Sequence, residues 1–144
     1  MEEIFYFMEW IGGKEMTGTY EHSIDAAGRL IVPSKLRDKL GDTFYLAVGV
    51  KENLTLYPME TWDKLRARVS ELSTTDAAAM DLFFASAQLC EADKQWRFQI
   101  PAYLKDYARI DKDVVVTGNN DRAQIWSAEN WKAKTRQQLN PETI

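Results

Sequence analysis

Residues 22–39 read HSIDAAGRLIVPSKLRDK, and residues 90–107 read CEADKQWRFQIPAYLKDY. Set one above the other at an offset of 68, five of eighteen positions are identical: Asp25/Asp93, Arg29/Arg97, Pro33/Pro101, Leu36/Leu104 and Asp38/Asp106. Val32/Ile100 and Arg37/Lys105 are near matches. The register continues downstream, where residues 46–48 (LAV) meet 114–116 (VVV). With one added residue, 57–62 (YPMETW) meets 126–131 (WSAENW). A single match could arise by chance; an ordered series of them marks an internal repeat.

Each copy spells the same local structure. A strand over 19–24 runs into Asp-x-x-Gly-Arg. Aspartate suits the first position of a type I turn, where its carboxylate accepts backbone N–H groups, and Gly28 suits the left-handed position that closes a hairpin as a G1 bulge. A second strand over 29–32 stops at Pro33, which has no N–H to give a ladder. Pro33 then starts a short helix with Leu36 and Leu40 one turn apart and Gly41 as its stop. Strands over 44–50 and 54–57 follow. One copy is too small to bury a full core, so the two are expected to share one.

Helices fill the rest. Trp62, Leu65, Val69 and Leu72 recur as one apolar face. Thr75 is a candidate cap for a second helix carrying Met80, Phe83, Phe84 and Ala87, and Ser127 for a last helix containing Trp131. The polar remainder, 132–144, is expected to fray. The predicted class is α+β: two tandem β-hairpin/short-helix half-domains around one pseudo-symmetric, β-barrel-like core. The expected boundaries are an N-terminal extension (1–15), half-domains over 19–62 and 89–132, connecting helices over 63–88 and a C-terminal tail (133–144).

Composition narrows the function classes. The chain has 144 residues, 45% hydrophobic and 28% charged, which is globular rather than disordered. No apolar run approaches the length of a membrane span. One cysteine, Cys90, and one histidine, His22, leave no internal disulfide, no zinc cluster and no converging acid, base and nucleophile. The expectation is therefore neither metal nor cofactor, and no enzyme. His22 and Cys90 occupy equivalent repeat positions in strands and are read as structural. Glu60 and Glu129 also repeat, in the first turns of helices, where a carboxylate suits the dipole. Phe83, Phe84, Trp62 and Trp131 are read as core or subunit interface. The N-terminal stretch MEEIFYFMEWIGGKE lacks the basic start and long apolar run of a secretory signal. It reads as an edge strand or partner-binding segment, or as untranslated leader with initiation at Met16, since residues 12–15 can be encoded by a nearly all-purine tract.

The net charge of −4 argues, on average, against a nucleic-acid coat. Its distribution argues otherwise. Residues 29–39 hold Arg29, Lys35, Arg37 and Lys39 against Asp38, a local balance of +3, and 97–107 hold Arg97 and Lys105 against Asp106, a balance of +1. Each D-x-x-x-R segment has two readings. It presents Arg29 or Arg97 to DNA, where the planar guanidinium fork matches guanine O6 and N7 or a phosphate, or Asp and Arg simply pair across their own turn. A surface pair contributes little stability, a poor reason to have it twice.

The segment 20–33, YEHSIDAAGRLIVP, with its echo over 93–101 and the strand ends Tyr57-Pro58 and Trp126-Ser127, resembles the MraZ family, which has two tandem SpoVT-AbrB half-domains. The resemblance spans most of the chain. It implies a sequence-specific DNA-binding transcriptional regulator of the division and cell-wall gene cluster, cytoplasmic and nucleoid-associated. It further implies binding to short G-rich direct repeats in double-stranded promoter DNA by a ring-shaped homo-oligomer. It places DNA contact on Asp25 with Arg29 and on Asp93 with Arg97; Lys35 and Arg37 join them through the local charge. Many weak contacts in a ring reach useful affinity by avidity, so an acidic protein can still bind DNA. The chain departs from the family pattern at Trp96, where glycine precedes the second arginine. A bulky residue in a left-handed turn costs on the order of 1 kcal/mol or more; packing at an inter-repeat or subunit contact is the expected compensation. The rival readings are an interaction module of the same fold that has lost DNA binding and, less well supported for want of an apolar tail, an AbrB-like antitoxin.

Overall fold

The computed structural model describes residues 15–138. The N-terminal segment therefore lies outside the described residues but for Glu15, as does the end of the tail. The strands are β1 (Thr19–Ser23), β2 (Arg29–Ile31), β3 (Thr43–Val48), β4 (Leu54–Pro58), β5 (Gln88–Glu91), β6 (Arg97–Gln99), β7 (Asp113–Asn119) and β8 (Arg122–Ser127). The helices are α1 (Arg37–Leu40), entered through a 3-10 turn at Ser34–Leu36, α2 (Met59–Ser70), α3 (Thr74–Ala78), α4 (Asp81–Ser86), α5 (Ala102–Tyr107) and α6 (Ala128–Gln138).

The Asp-x-x-Gly-Arg turn forms as its residues dictate. Gly28 N–H donates to Asp25 O and Asp25 N–H to Arg29 O, each at 3.0 Å, with Gly28 left-handed at φ 82°. Beyond the turn the strands part. β1 pairs with β7 of the other repeat, β5 with β3, and β2 with β6, all antiparallel. The result is a six-stranded sheet in the order β1-β7-β8-β4-β3-β5 and a two-stranded ribbon β2-β6. Exchanging β1 for β5, β2 for β6, β3 for β7 and β4 for β8 reproduces the same order, so a pseudo-two-fold axis runs between β4 and β8 and between β2 and β6. Val32 N–H donates to Trp96 O (2.8 Å) and Ile100 N–H to Gly28 O (3.0 Å), the same bond made once from each repeat.

The core confirms the sharing. Leu30, Val32, Leu36, Phe44, Leu46, Leu54 and Leu56 from the first repeat form one buried cluster with Phe98, Ile100, Leu104, Val114, Val116 and Ile125 from the second. Phe44 meets Phe98 edge-on, ring centroids 5.0 Å apart, which ties the ribbon to the sheet. Gly118 lets the segment before β1 pass close to β7: a Cβ there would lie 2.4 Å from Thr17 N.

The helices depart from expectation in two places. Ser73, not Thr75, caps the helix after α2, its Oγ accepting from Asp76 N–H at 3.2 Å. The expected single helix breaks at a tight turn through Met80 into α3 and α4, which turns Phe83 and Phe84 onto Trp62. Leu72 lies beyond the end of α2 and is exposed. Trp62 stacks on Tyr45 at 4.2 Å, making a second, smaller apolar cluster outside the sheet. Ser127 caps α6 through Asn130 N–H at 3.0 Å, and α6 stays helical to Gln138, further than the polar sequence suggested.

Because the two repeats share one core, truncating Phe98 should unfold both together. Phe98→Ala is expected to cost about 3–5 kcal/mol. Urea unfolding followed by tryptophan fluorescence should remain a single transition at a lower midpoint; two separated transitions would show independent halves.

Candidate nucleic-acid interface

Strand alternation sorts the ribbon residues. Leu30 and Phe98 point into the core, while Arg29, Ile31, Arg97 and Gln99 share the outer face. The register sets Arg29 opposite Gln99 and Ile31 opposite Arg97. Arg29 and Arg97 are thus diagonal neighbours, roughly 7–8 Å apart at Cα. Two segments far apart in the chain deliver their arginines to one narrow surface. Ile31 is 41% exposed between them.

The same device holds each arginine. Asp25 Oδ1 accepts the N–H of Ala27 (3.0 Å) and of Arg29 (2.9 Å), and its Oδ2 accepts Arg29 Nε at 2.9 Å. In the second repeat Asp93 Oδ1 accepts Gln95 N–H and Arg97 N–H, and Oδ2 accepts Arg97 Nε, all at 2.9 Å. The pairing reading of the motif is therefore realised twice. It does not exhaust the guanidinium, because only Nε is engaged and the two terminal nitrogens remain for a ligand. The Arg29 backbone N–H is the largest influence holding the Asp25 carboxyl below the usual carboxylate range; slight desolvation opposes it, and the Arg29 side chain and Ala27 N–H reinforce it. Asp93 is lowered in the same way, first by the Arg97 backbone N–H.

Trp96 adopts the left-handed conformation that glycine holds in the first repeat, φ 61° against 82°. The turn keeps its shape: Trp96 N–H donates to Asp93 O and Asp93 N–H to Arg97 O, each at 3.0 Å. Its indole packs against the main core and lies under the Arg37 guanidinium, 5.4 Å from ring centroid to Cζ. This is an inter-repeat contact, and it offsets the backbone strain. It also relocates Arg37, which the linear sequence puts with the first turn. Arg37 lies against the second turn, with Nε donating to Val32 O at 3.0 Å. Lys35 stands exposed on the 3-10 turn after β2.

Sequence reading did not single out Gln99 or Ile31 for this surface. The repeat itself carried the signal, because both are position 31 of their copies at the offset of 68. Gln99 crosses to the first turn, donating from Nε2 to Ala27 O at 2.7 Å.

His22 and Cys90 lie on β1 and β5, the two ends of the six-stranded sheet, and do not form a pair. Burial pushes the Cys90 thiol up to about 11, so it packs as a neutral thiol. Burial, with Arg37 adding to it, lowers His22. Among the described residues there is no cluster of metal-ligating side chains, and no helix is long and apolar enough to cross a membrane.

The family model described as "MraZ protein, putative antitoxin-like" matches residues 16–82 and again 83–143. Relatives named "Transcriptional regulator MraZ" share much of the chain. That of Thermoanaerobacter pseudethanolicus is 46% identical over 120 residues, covering 81% of this chain and 84% of the relative. That of Lactiplantibacillus plantarum is 43% identical over 129 residues, 88% of each, and that of Moorella thermoacetica 40% identical over 123 residues, 83% and 86%.

The two aspartates supply a pH test of the site. A carboxylate whose folded-state pKa is lowered adds stability above its unfolded value and loses it as pH falls through the folded one. Carboxyl-carbon NMR should find Asp25 and Asp93 titrating below the ordinary aspartate range. Asp25→Asn should flatten the acid limb of the stability profile. Titration of both in the ordinary range would mean that the turns do not hold their arginines in solution.

Proposed function

Since the chain belongs to the MraZ family of transcriptional regulators, and is no enzyme, we propose that it is a sequence-specific DNA-binding regulator whose β2-β6 ribbon enters the major groove. The observation that carries this reading is the pair of outward arginines on one two-stranded antiparallel ribbon. The major groove is about 12 Å wide and admits such a ribbon, and the end of an arginine fork matches guanine O6 and N7. Asp25 and Asp93 take up Nε and aim the two terminal nitrogens outward. Holding the side chain in one geometry before contact removes part of the entropy cost of binding.

Within this reading Arg29 and Arg97 face bases and Lys35 faces a phosphate. Arg37 has less to offer, with its Nε on Val32 and its face on Trp96. Ile31 between the arginines suits a thymine methyl or a base edge. Several such ribbons in a ring-shaped homo-oligomer would meet direct repeats in promoter DNA, each adding effective concentration for the next. The expected targets are short G-rich direct repeats upstream of its own gene and the division and cell-wall cluster, and the expected place is the cytoplasm, at the nucleoid. The rival reading, an interaction module without DNA binding, has the net charge of −4 and Trp96 as its support. That residue leaves the second turn and its Asp93–Arg97 pair in the same form as the first.

Arg29→Ala should remove specific binding to a duplex carrying the upstream repeats, at on the order of 1–3 kcal/mol per engaged protomer, while light scattering shows the same oligomer. Arg97→Ala should lose less. Fluorescence anisotropy across a salt series should give a steep fall of affinity with salt. Unchanged affinity in Arg29→Ala would reject the reading.

A further inference from the structure

The crossing of the repeats decides which cations stand beside which turn. A Cβ built on Gly28 would lie 2.7 Å from Gln99 Nε2 and 3.6 Å from Lys105 Nζ. Both residues come from the second repeat. Lys105 lies on α5 and is the repeat counterpart of Arg37. The two are placed alike, each against the other repeat's turn, yet their circumstances differ. Arg37 meets a tryptophan and is engaged twice, by the indole and by Val32 O. Lys105 meets a glycine.

Lys105 Nζ makes no hydrogen bond or ion pair among the described residues, and the same holds for the terminal nitrogens of Arg29. Asp25 is ion-paired with Arg29 and makes no ion pair with Lys105. Arg29 from the first repeat and Lys105 from the second thus both stand at the first turn, where the Gln99 amide, not a side chain of Gly28, lies over the backbone. Arg29 already has Asp25 as its counter-charge at 2.9 Å, whereas Lys105 has no ion pair among the described residues, so an anion at this turn supplies the partner that Lys105 lacks. A compact ammonium suits a backbone phosphate as a point charge while the arginine fork takes a base edge.

We propose that Lys105, supplied by the second repeat, is a phosphate-contacting residue of the first repeat's DNA surface. This rests on the DNA-binding reading above. It makes the first turn a composite site that neither repeat holds alone. It also gives the Gly28/Trp96 difference a consequence: one turn keeps its lysine for a ligand, and the other has its cation absorbed by an indole.

The test compares the full chain with Lys105→Met, which keeps most of the aliphatic stem, on duplex DNA from upstream of its own gene and on a scrambled duplex. Lys64→Met on α2 makes the same charge change elsewhere. Lys105→Met should weaken both duplexes alike, by about three- to tenfold at moderate salt, and reduce the slope of log affinity against log salt by about 0.9 per engaged protomer. Melting temperature and oligomer size should not change, and Lys64→Met should bind as the parent does. If Lys105→Met binds with unchanged affinity and slope while Arg29→Ala loses binding, this proposal fails and the DNA-binding reading stands. Equal losses in Lys64→Met and Lys105→Met would also overturn it, as an effect of net charge. A parent chain that ignores both duplexes overturns the DNA-binding reading and this proposal with it.

Discussion

Leu30 and Phe98 face each other in the β2-β6 ribbon, both buried, and neither has a wall to pack on unless the other repeat supplies it. Phe98 lies against Phe44 of the first repeat. A repeat of this size cannot bury enough apolar surface to offset its chain entropy. Exchanging strands solves the problem: β1 completes the sheet of the second repeat and β5 that of the first. The ribbon is what remains between the two exchanged pairs, and everything on its outer face follows. Once Leu30 and Phe98 point inward, alternation turns Arg29 and Arg97 outward, side by side, whatever the rest of the surface does.

The paired aspartates make sense on this footing. As stabilising contacts, exposed ion pairs contribute little. As orienting contacts they do more, because each carboxylate is fixed first by two backbone N–H groups of its own turn. The turn holds the carboxylate, the carboxylate holds Nε, and the guanidinium plane is set before any ligand arrives. The same chemistry in both repeats indicates that orientation, not burial or charge, is what the Asp-x-x-x-Arg spacing supplies.

Much of this was legible in residues alone. The offset of 68 between 22–39 and 90–107 implied a shared core, and Asp25 and Gly28 implied their turn, because turn chemistry is local. The partners of β1 and β2 were not legible. A type I turn with a G1 bulge looks the same whether its strands pair with each other or with strands of the other repeat, and strand alternation carries no partner identity. The same blindness misplaced Arg37, eight positions from Arg29 in sequence but set on the other repeat's turn. The break at Met80 was hidden for a related reason: nothing in 74–86 forbids one helix, and the demand of Trp62 for Phe83 and Phe84 is tertiary.

Net charge is the coarsest of these readings and was the most misleading. A total of −4 describes what a distant ion sees. At a few ångströms, inside one Debye length, a ligand meets the local field. That field is made by the fold: Arg29, Arg97 and Lys105 come from two repeats and converge only after the strands cross. Charge counted along the chain gave the first repeat +3 and the second +1. Charge counted by position moves Arg37 to the second turn, where an indole covers its face, and Lys105 to the first, where it makes no ion pair among the described residues. The surface best fitted to an anion is still the first turn, but part of its charge is borrowed from the repeat that seemed poorer.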